Sequence, residues 1–266
     1  MKRIKKKSII FLLVLIFISA FVYKECNGKQ DVNKKVLEEV TQMDEKEPRK
    51  EKQKEEKEEV RIEGSEAPKK AYKESEILEL KRINSDTVGI LDIPNTRIYY
   101  PVLQTSDNEL YLKQNIHKEY DIHGSIYMDY ENDYLASDNI ILYGHNMLDG
   151  TMFSDLDQYK DLKFMEDNRD IYFYVDDKIE HYQVIGSMIL NLDTEDEIFS
   201  FNSHIDFDEG YGAKEYFQDI KSETNNLLVE EVEEDAKFLT LSTCSYETDD
   251  ARFVLFATKV GGGLVD

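Results

Sequence analysis

The stretch Lys237-Phe238-Leu239-Thr240-Leu241-Ser242-Thr243-Cys244, followed after a polar connection by Ala251-Arg252-Phe253-Val254-Leu255-Phe256-Ala257, decides how this chain folds. Both runs are apolar, rich in β-branched and aromatic residues, and residues 245–250 between them are polar. That pattern describes two antiparallel strands joined by a turn. Cys244 stands where the first strand runs out and Arg252 where the second begins, which places both at one end of a sheet. A thiol beside a permanent cation has the surroundings that favour a thiolate. Taken alone, the same cysteine also reads as a small buried hydrophobe, the commoner state of a free thiol.

Upstream of this pair the pattern is strand after strand. Residues 88–93 and 97–103 read as short strands split by the turn Pro94-Asn95, and 125–129 and 139–143 as two more. Residues 171–175 and 180–190 follow, parted by Asp176-Asp177-Lys178. Helical spacing is confined to three places. Ile77, Leu78, Leu80 and Ile83 form one apolar face, 152–159 suggests a short helix, and 206–221 carries Tyr211, Tyr216, Phe217 and Ile220. The expected fold is mostly β: a closed barrel of about eight strands with an N-terminal helix and a helical insertion between the sixth and seventh strands. The sequence shows no internal repeat, no glycine-rich phosphate loop and no Cys/His cluster at metal spacing.

Charge is spread unevenly. Residues 1–75 hold 19 Lys+Arg against 15 Asp+Glu, and with −23 for the whole chain this leaves −27 on residues 76–266. A domain that acidic repels phosphate backbones, which argues against nucleic-acid binding. The two cysteines, Cys26 and Cys244, cannot build a disulfide framework, and Tyr23-Lys24-Glu25 ahead of Cys26 is not a lipid-attachment context.

The N-terminal third divides in three. Residues 1–7 are Lys/Arg-rich and 8–23 are an unbroken apolar run. Sixteen residues span about 24 Å as a helix, a little short of the bilayer core, but flanking lysines can snorkel and Tyr23 suits the interface. The expectation is a retained transmembrane anchor with residues 1–7 in the cytoplasm and the rest exported. A cleaved signal peptide is the competing reading, with a poor cleavage site near Ile18-Ser19-Ala20. Residues 24–75, mostly Glu and Lys toward the end, read as a charged stalk or linker, and the folded domain is expected to occupy 76–266.

A thiolate nucleophile needs a base or a cation beside it. Arg252 offers the cation. Of five histidines, His181 lies within a strand, His204 ahead of a helix, and His117 and His123 in a polar loop without evident orientation. His145 differs, because it follows the apolar strand Asn139-Ile140-Ile141-Leu142-Tyr143-Gly144 and so sits at the rim of a rigid element.

Taken together, Tyr143-Gly144-His145-Asn146-Met147, Gly150-Thr151-Met152-Phe153, Leu241-Ser242-Thr243-Cys244 and Arg252 resemble the sortases, cysteine transpeptidases of Gram-positive cell surfaces. The resemblance runs from about Asp86 to Val260. Asp107-Asn108-Glu109-Leu110-Tyr111-Leu112 and the helix after His204 are similar to class B. The resemblance implies that Cys244 is the nucleophile, His145 the acid and base, and Arg252 the cation on the substrate carbonyl and oxyanion. It implies pocket residues at Asn108, Leu112, Ser242, Thr243 and Glu247. It also implies cleavage after Thr of an Asn-Pro-x-Thr-type C-terminal sorting signal on secreted proteins, and transfer of the acyl group to a peptidoglycan amine. No metal or organic cofactor is implied. Two readings compete with it: a surface cysteine protease that releases its acyl-enzyme to water, and a non-catalytic binding module on a stalk.

Overall fold

Eight strands close on themselves in the computed structural model, which describes residues 31–46, 74–176, 178–191, 201–224, 226–244 and 251–261. They are β1 (Thr87–Asp92), β2 (Tyr99–Leu103), β3 (Ile126–Met128), β4 (Asn139–Tyr143), β5 (Asp170–Val175), β6 (Lys178–Asn191), β7 (Phe238–Cys244) and β8 (Ala251–Lys259). Their order around the barrel is β1-β2-β3-β4-β7-β8-β6-β5, and β5 pairs back onto β1 to close it. Most neighbours are antiparallel; β2 with β3 and β4 with β7 are parallel. The expected strands all form, with boundaries shifted by a few residues.

β4, β7 and β8 are buried on both faces, which is why they read as continuous apolar runs. Ile140 and Leu142, Leu239 and Leu241, and Phe253, Leu255 and Ala257 point into the barrel with Phe153 and Tyr159. Ile141, Phe238, Val254 and Phe256 face outward and are covered by the insertion between β6 and β7. There α4 (Ala213–Glu223) lays Tyr216, Phe217 and Ile220 on the sheet, each fully buried. Burying a side chain of this size contributes roughly 1.5–3 kcal/mol.

The helices depart from expectation in detail. α4 begins at Ala213 and not near Asp206, because Asp208 closes a turn by accepting from the backbone N–H groups of Gly210 and Tyr211. His204 therefore caps nothing; its ring stacks on Tyr211 at 4.2 Å between centroids. The short helix after the β4 loop is a 3-10 helix, Ser154–Lys160, followed by α3 (Leu162–Asp167). In α2 (Glu74–Ile83) Ile77 and Leu80 are buried but Leu78 and Ile83 are exposed, so the apolar face is narrower than the sequence suggests.

The largest departure is in the segment read as a stalk. Residues Val32–Lys46 form α1, whose Val36, Leu37 and Val40 pack with α2 and the outer face of β1 and β2. Asn33, 1% exposed, donates from Nδ2 to Gly124 O at 2.7 Å and accepts through Oδ1 from Ile116 N at 2.7 Å. A single apolar patch is enough to dock a helix when polar groups at its start satisfy buried backbone. The expected anchor, 8–23, lies outside the described residues; among the described residues no helix is long and apolar enough to cross a membrane.

Candidate active site

Strand register assembles the site. Parallel pairing sets Tyr143 of β4 against Ser242 of β7, and Gly144 N donates to Ser242 O at 3.2 Å. Two residues beyond that pair stand His145 on one strand and Cys244 on the other, level at the same end of the barrel. Antiparallel pairing sets Cys244 directly opposite Arg252 of β8, and directly opposed residues share a face of the sheet. Arg252 is in turn opposite Leu190 of β6. Two backbone registers, β4 with β7 and β7 with β8, therefore set the three residues singled out by sequence at one end of the barrel.

His145 is half-buried, and its Nε2 lies 2.7 Å from Leu112 O. A carbonyl only accepts, so Nε2–H donates. The bond orients the ring. The loop that begins at His145 is tightly built. Phe153 N donates to His145 O at 2.9 Å, and Asn146 turns inward to donate to Asp157 Oδ2 at 3.0 Å. Gly144 has no room for a side chain: a Cβ would lie 2.4 Å from Ile126 Cδ1. Gly150 adopts φ +83, a conformation that favours glycine, with the Arg97 guanidinium against it.

The candidate pocket residues divide. Asn108 donates from Nδ2 to Asp129 Oδ2 at 2.8 Å and accepts from Tyr130 N at 3.0 Å. Asp129 Oδ2 also accepts from the Tyr143 hydroxyl at 2.8 Å, so Asn108 is tied to the strand that delivers His145. Burial, with the Asp129 carboxylate beside it, raises the Tyr143 hydroxyl pKa far above its usual range and keeps it a donor. Leu112 enters through its carbonyl, at the end of the 3-10 helix Leu110–Leu112. An open hollow of about 340 Å³ is lined in part by Asp107, Leu110 and Tyr120. Ser242 and Thr243, on the strand that ends at Cys244, are 3% and 2% exposed. Glu247 lies outside the described residues.

Sequence reasoning missed the groups behind His145. Asp129 gives no motif, Tyr143 reads only as the start of the His145 motif, and His123, read as unoriented, is wholly buried between Asp121 and Asp149. His181 behaves as expected of a packing residue, stacked on Tyr172 and 2.9 Å from Asp170 Oδ1. Among the described residues no group of three or more His, Cys, Asp or Glu is placed to hold a metal ion.

The sortase domain family matches residues 91–260. Sortase B of Listeria monocytogenes is 34% identical over 175 residues, 65% of this chain and 69% of its own. Sortase B from B. anthracis in complex with AAEK1 superimposes with a TM-score of 0.62 at 29% identity, covering 86% of this chain and 96% of that one. The Staphylococcus aureus sortase B–substrate complex gives a TM-score of 0.59 at 28% identity, over 70% of this chain and 85% of that one. This chain belongs to the sortase family, the cysteine transpeptidases that act on the sorting signals of surface proteins. Within the family it falls in class B, and as a sortase it is a cell-surface enzyme.

Proposed function

We propose that this sortase cleaves an Asn-Pro-x-Thr-type signal after Thr and passes the acyl group to a peptidoglycan amine, with Cys244, His145 and Arg252 as its chemical groups. The observation that carries this is the register Tyr143 to Ser242 and Cys244 to Arg252, which converges on one barrel end. In the reactive form the thiol proton rests on His145. The Cys244 sulfur adds to the Thr carbonyl carbon, and the Arg252 guanidinium holds the oxyanion. Collapse breaks the C–N bond; His145 gives its proton to the leaving amine and a thioester remains. An incoming amine, deprotonated by His145, then displaces the thiolate. Asn108, Leu112 and Glu247 line the path of the signal, while Ser242 and Thr243 hold the strand behind the nucleophile. Residues 8–23 serve as a single-pass anchor with the N-terminus inside and the catalytic domain outside. Cys244 ends a strand, and thiolate formation is assigned to His145 and Arg252.

The test is mass analysis of an Asn-Pro-x-Thr-type peptide incubated with the enzyme, with and without a glycine oligomer. The expected products are a split after Thr and, with the amine present, a new amide at that carbonyl. Cleavage at another bond, or only the free acid at saturating amine, would overturn the specificity or the transfer step respectively.

A further inference from the structure

We propose that His123 is a positioning residue for the reaction, tying the loop that carries His145 to the segment that carries Leu112. The proposal rests on the assignment of His145 as acid and base. His123 is fully buried, with Nδ1 2.7 Å from Asp121 Oδ1 and Nε2 2.9 Å from Asp149 Oδ2. An ionised carboxylate only accepts, so both ring nitrogens must donate, and only the imidazolium does that.

Its two partners come from different parts of the chain. Asp121 belongs to the Leu112 segment, since Asp121 N donates to Lys113 O at 2.9 Å and Asp121 Oδ1 also accepts from His123 N at 3.0 Å. Asp149 belongs to the His145 loop, where its Oδ1 accepts from Thr151 N at 3.0 Å and from the Thr151 hydroxyl at 2.6 Å. The same two segments already meet where His145 Nε2 donates to Leu112 O. One cross-link leaves a pivot; a second fixes the angle of the loop and so the aim of the imidazole. A misplacement of about 1 Å at a reacting group costs up to roughly a hundredfold in rate.

The charged groups around the ring are Asp121 on its own segment, Asp149 on the His145 loop and Asp31 ahead of α1. Beyond them lie Tyr100 of β2, whose hydroxyl accepts from Met152 N, and Arg97, whose guanidinium pairs with Asp155. Burial opposes the charge on His123, but the hydrogen bonds and charges of Asp149 and Asp121 outweigh it and raise its pKa. A raised value keeps the bridge closed through the ordinary histidine range and opens it as pH rises through the folded value.

The experiment compares His123→Gln, Asp149→Ala, Asp149→Asn and the double variant His123→Gln/Asp149→Ala in peptide turnover, with circular dichroism for folding and imidazole NMR for the His145 ring. The first two variants are expected to lower kcat roughly tenfold with KM within about twofold. The double variant should lose no more than either alone, because both break one bridge. Asp149→Asn keeps its oxygen for Thr151 and turns its amide N–H toward Nε2 of a neutral His123, so the bridge survives with its direction reversed and most of the rate should be recovered. Should His123→Gln fail to fold, the two Asp149 variants decide, since that side chain is partly exposed. Folded variants with kcat within twofold of the parent and an unmoved His145 resonance would overturn the proposal, as would losses that multiply in the double variant. His145→Ala separates the two readings. Retained activity there removes the assignment of His145, while a displaced His145 resonance in His123→Gln still supports the bridge.

Discussion

The two sides of the active site are built by different means. On one side Cys244 and Arg252 are neighbours through backbone pairing of β7 and β8, in a sheet buried on both faces. On the other, Asn108, Leu112 and the His145 loop are held by side-chain hydrogen bonds and ion pairs: Asp129 to Asn108 and Tyr143, His123 to two aspartates, Asn33 to Gly124 and Ile116. Substitution on the sheet side should remove chemistry and leave folding intact. On the clamped side it should loosen placement and stability together.

The sharpest break of that contrast is Cys244→Ala. Loss of the nucleophile should lower turnover by at least roughly a thousandfold, with the circular dichroism spectrum unchanged. Retained cleavage would remove the sheet side from the chemistry altogether. Next is Arg252→Lys, which keeps the charge but loses the planar multi-donor geometry. A fall of roughly a hundredfold in kcat/KM is expected, with a much smaller change in the pH dependence of thiol alkylation. If the lysine variant keeps more than about a third of the activity, charge alone suffices.

Asn33→Ala probes the clamped side. It leaves Gly124 O and Ile116 N buried without their partner, and a loss of roughly 3 kcal/mol is expected by denaturant titration. A chain starting at Glu76 gives up this residue together with Leu37 and should be weaker still; equal stability of the two forms would show that α1 is dispensable. The smallest effect is expected in acid. Burial raises the Asp155 carboxyl pKa, but hydrogen bonds from the Arg97 side chain and backbone outweigh it and set it below the usual range. Its contribution is therefore complete above about pH 4 and lost as pH falls through the folded value. Thermal melts between pH 6 and pH 3 should show about 1 kcal/mol or less of acid sensitivity that Asp155→Asn removes.

What the sequence reveals follows the same division. β4, β7 and β8 are legible because two-sided burial forces long apolar runs, and the proposed catalytic residues sit where those runs stop. The clamp is not legible. Asp149 meets Asp121 and His123 only after the barrel closes, and no spacing rule links it to them. α1 is hidden because Val36, Leu37 and Val40 are few among many Glu and Lys, and its strongest tie is an asparagine. The helix start misleads in the other direction: the apolar spacing runs from residue 206, but the turn at Asp208 delays the helix to Ala213.

The parallel pairing of β4 with β7 also sets an order of events for a newly exported chain. Hairpins can close locally, but residues 144–237 must be folded or looped out before Tyr143 finds Ser242. Closure over such a separation is slow, because the loop's entropy is lost before any contact compensates for it. The thiol therefore meets its histidine late, once this long closure is made. We expect Cys244 to react with alkylating agents as an ordinary thiol early in refolding and to acquire its active-site reactivity in the last kinetic phase. The chain would thus begin to fold with its proposed nucleophile dormant, and that group would switch on only in a finished barrel.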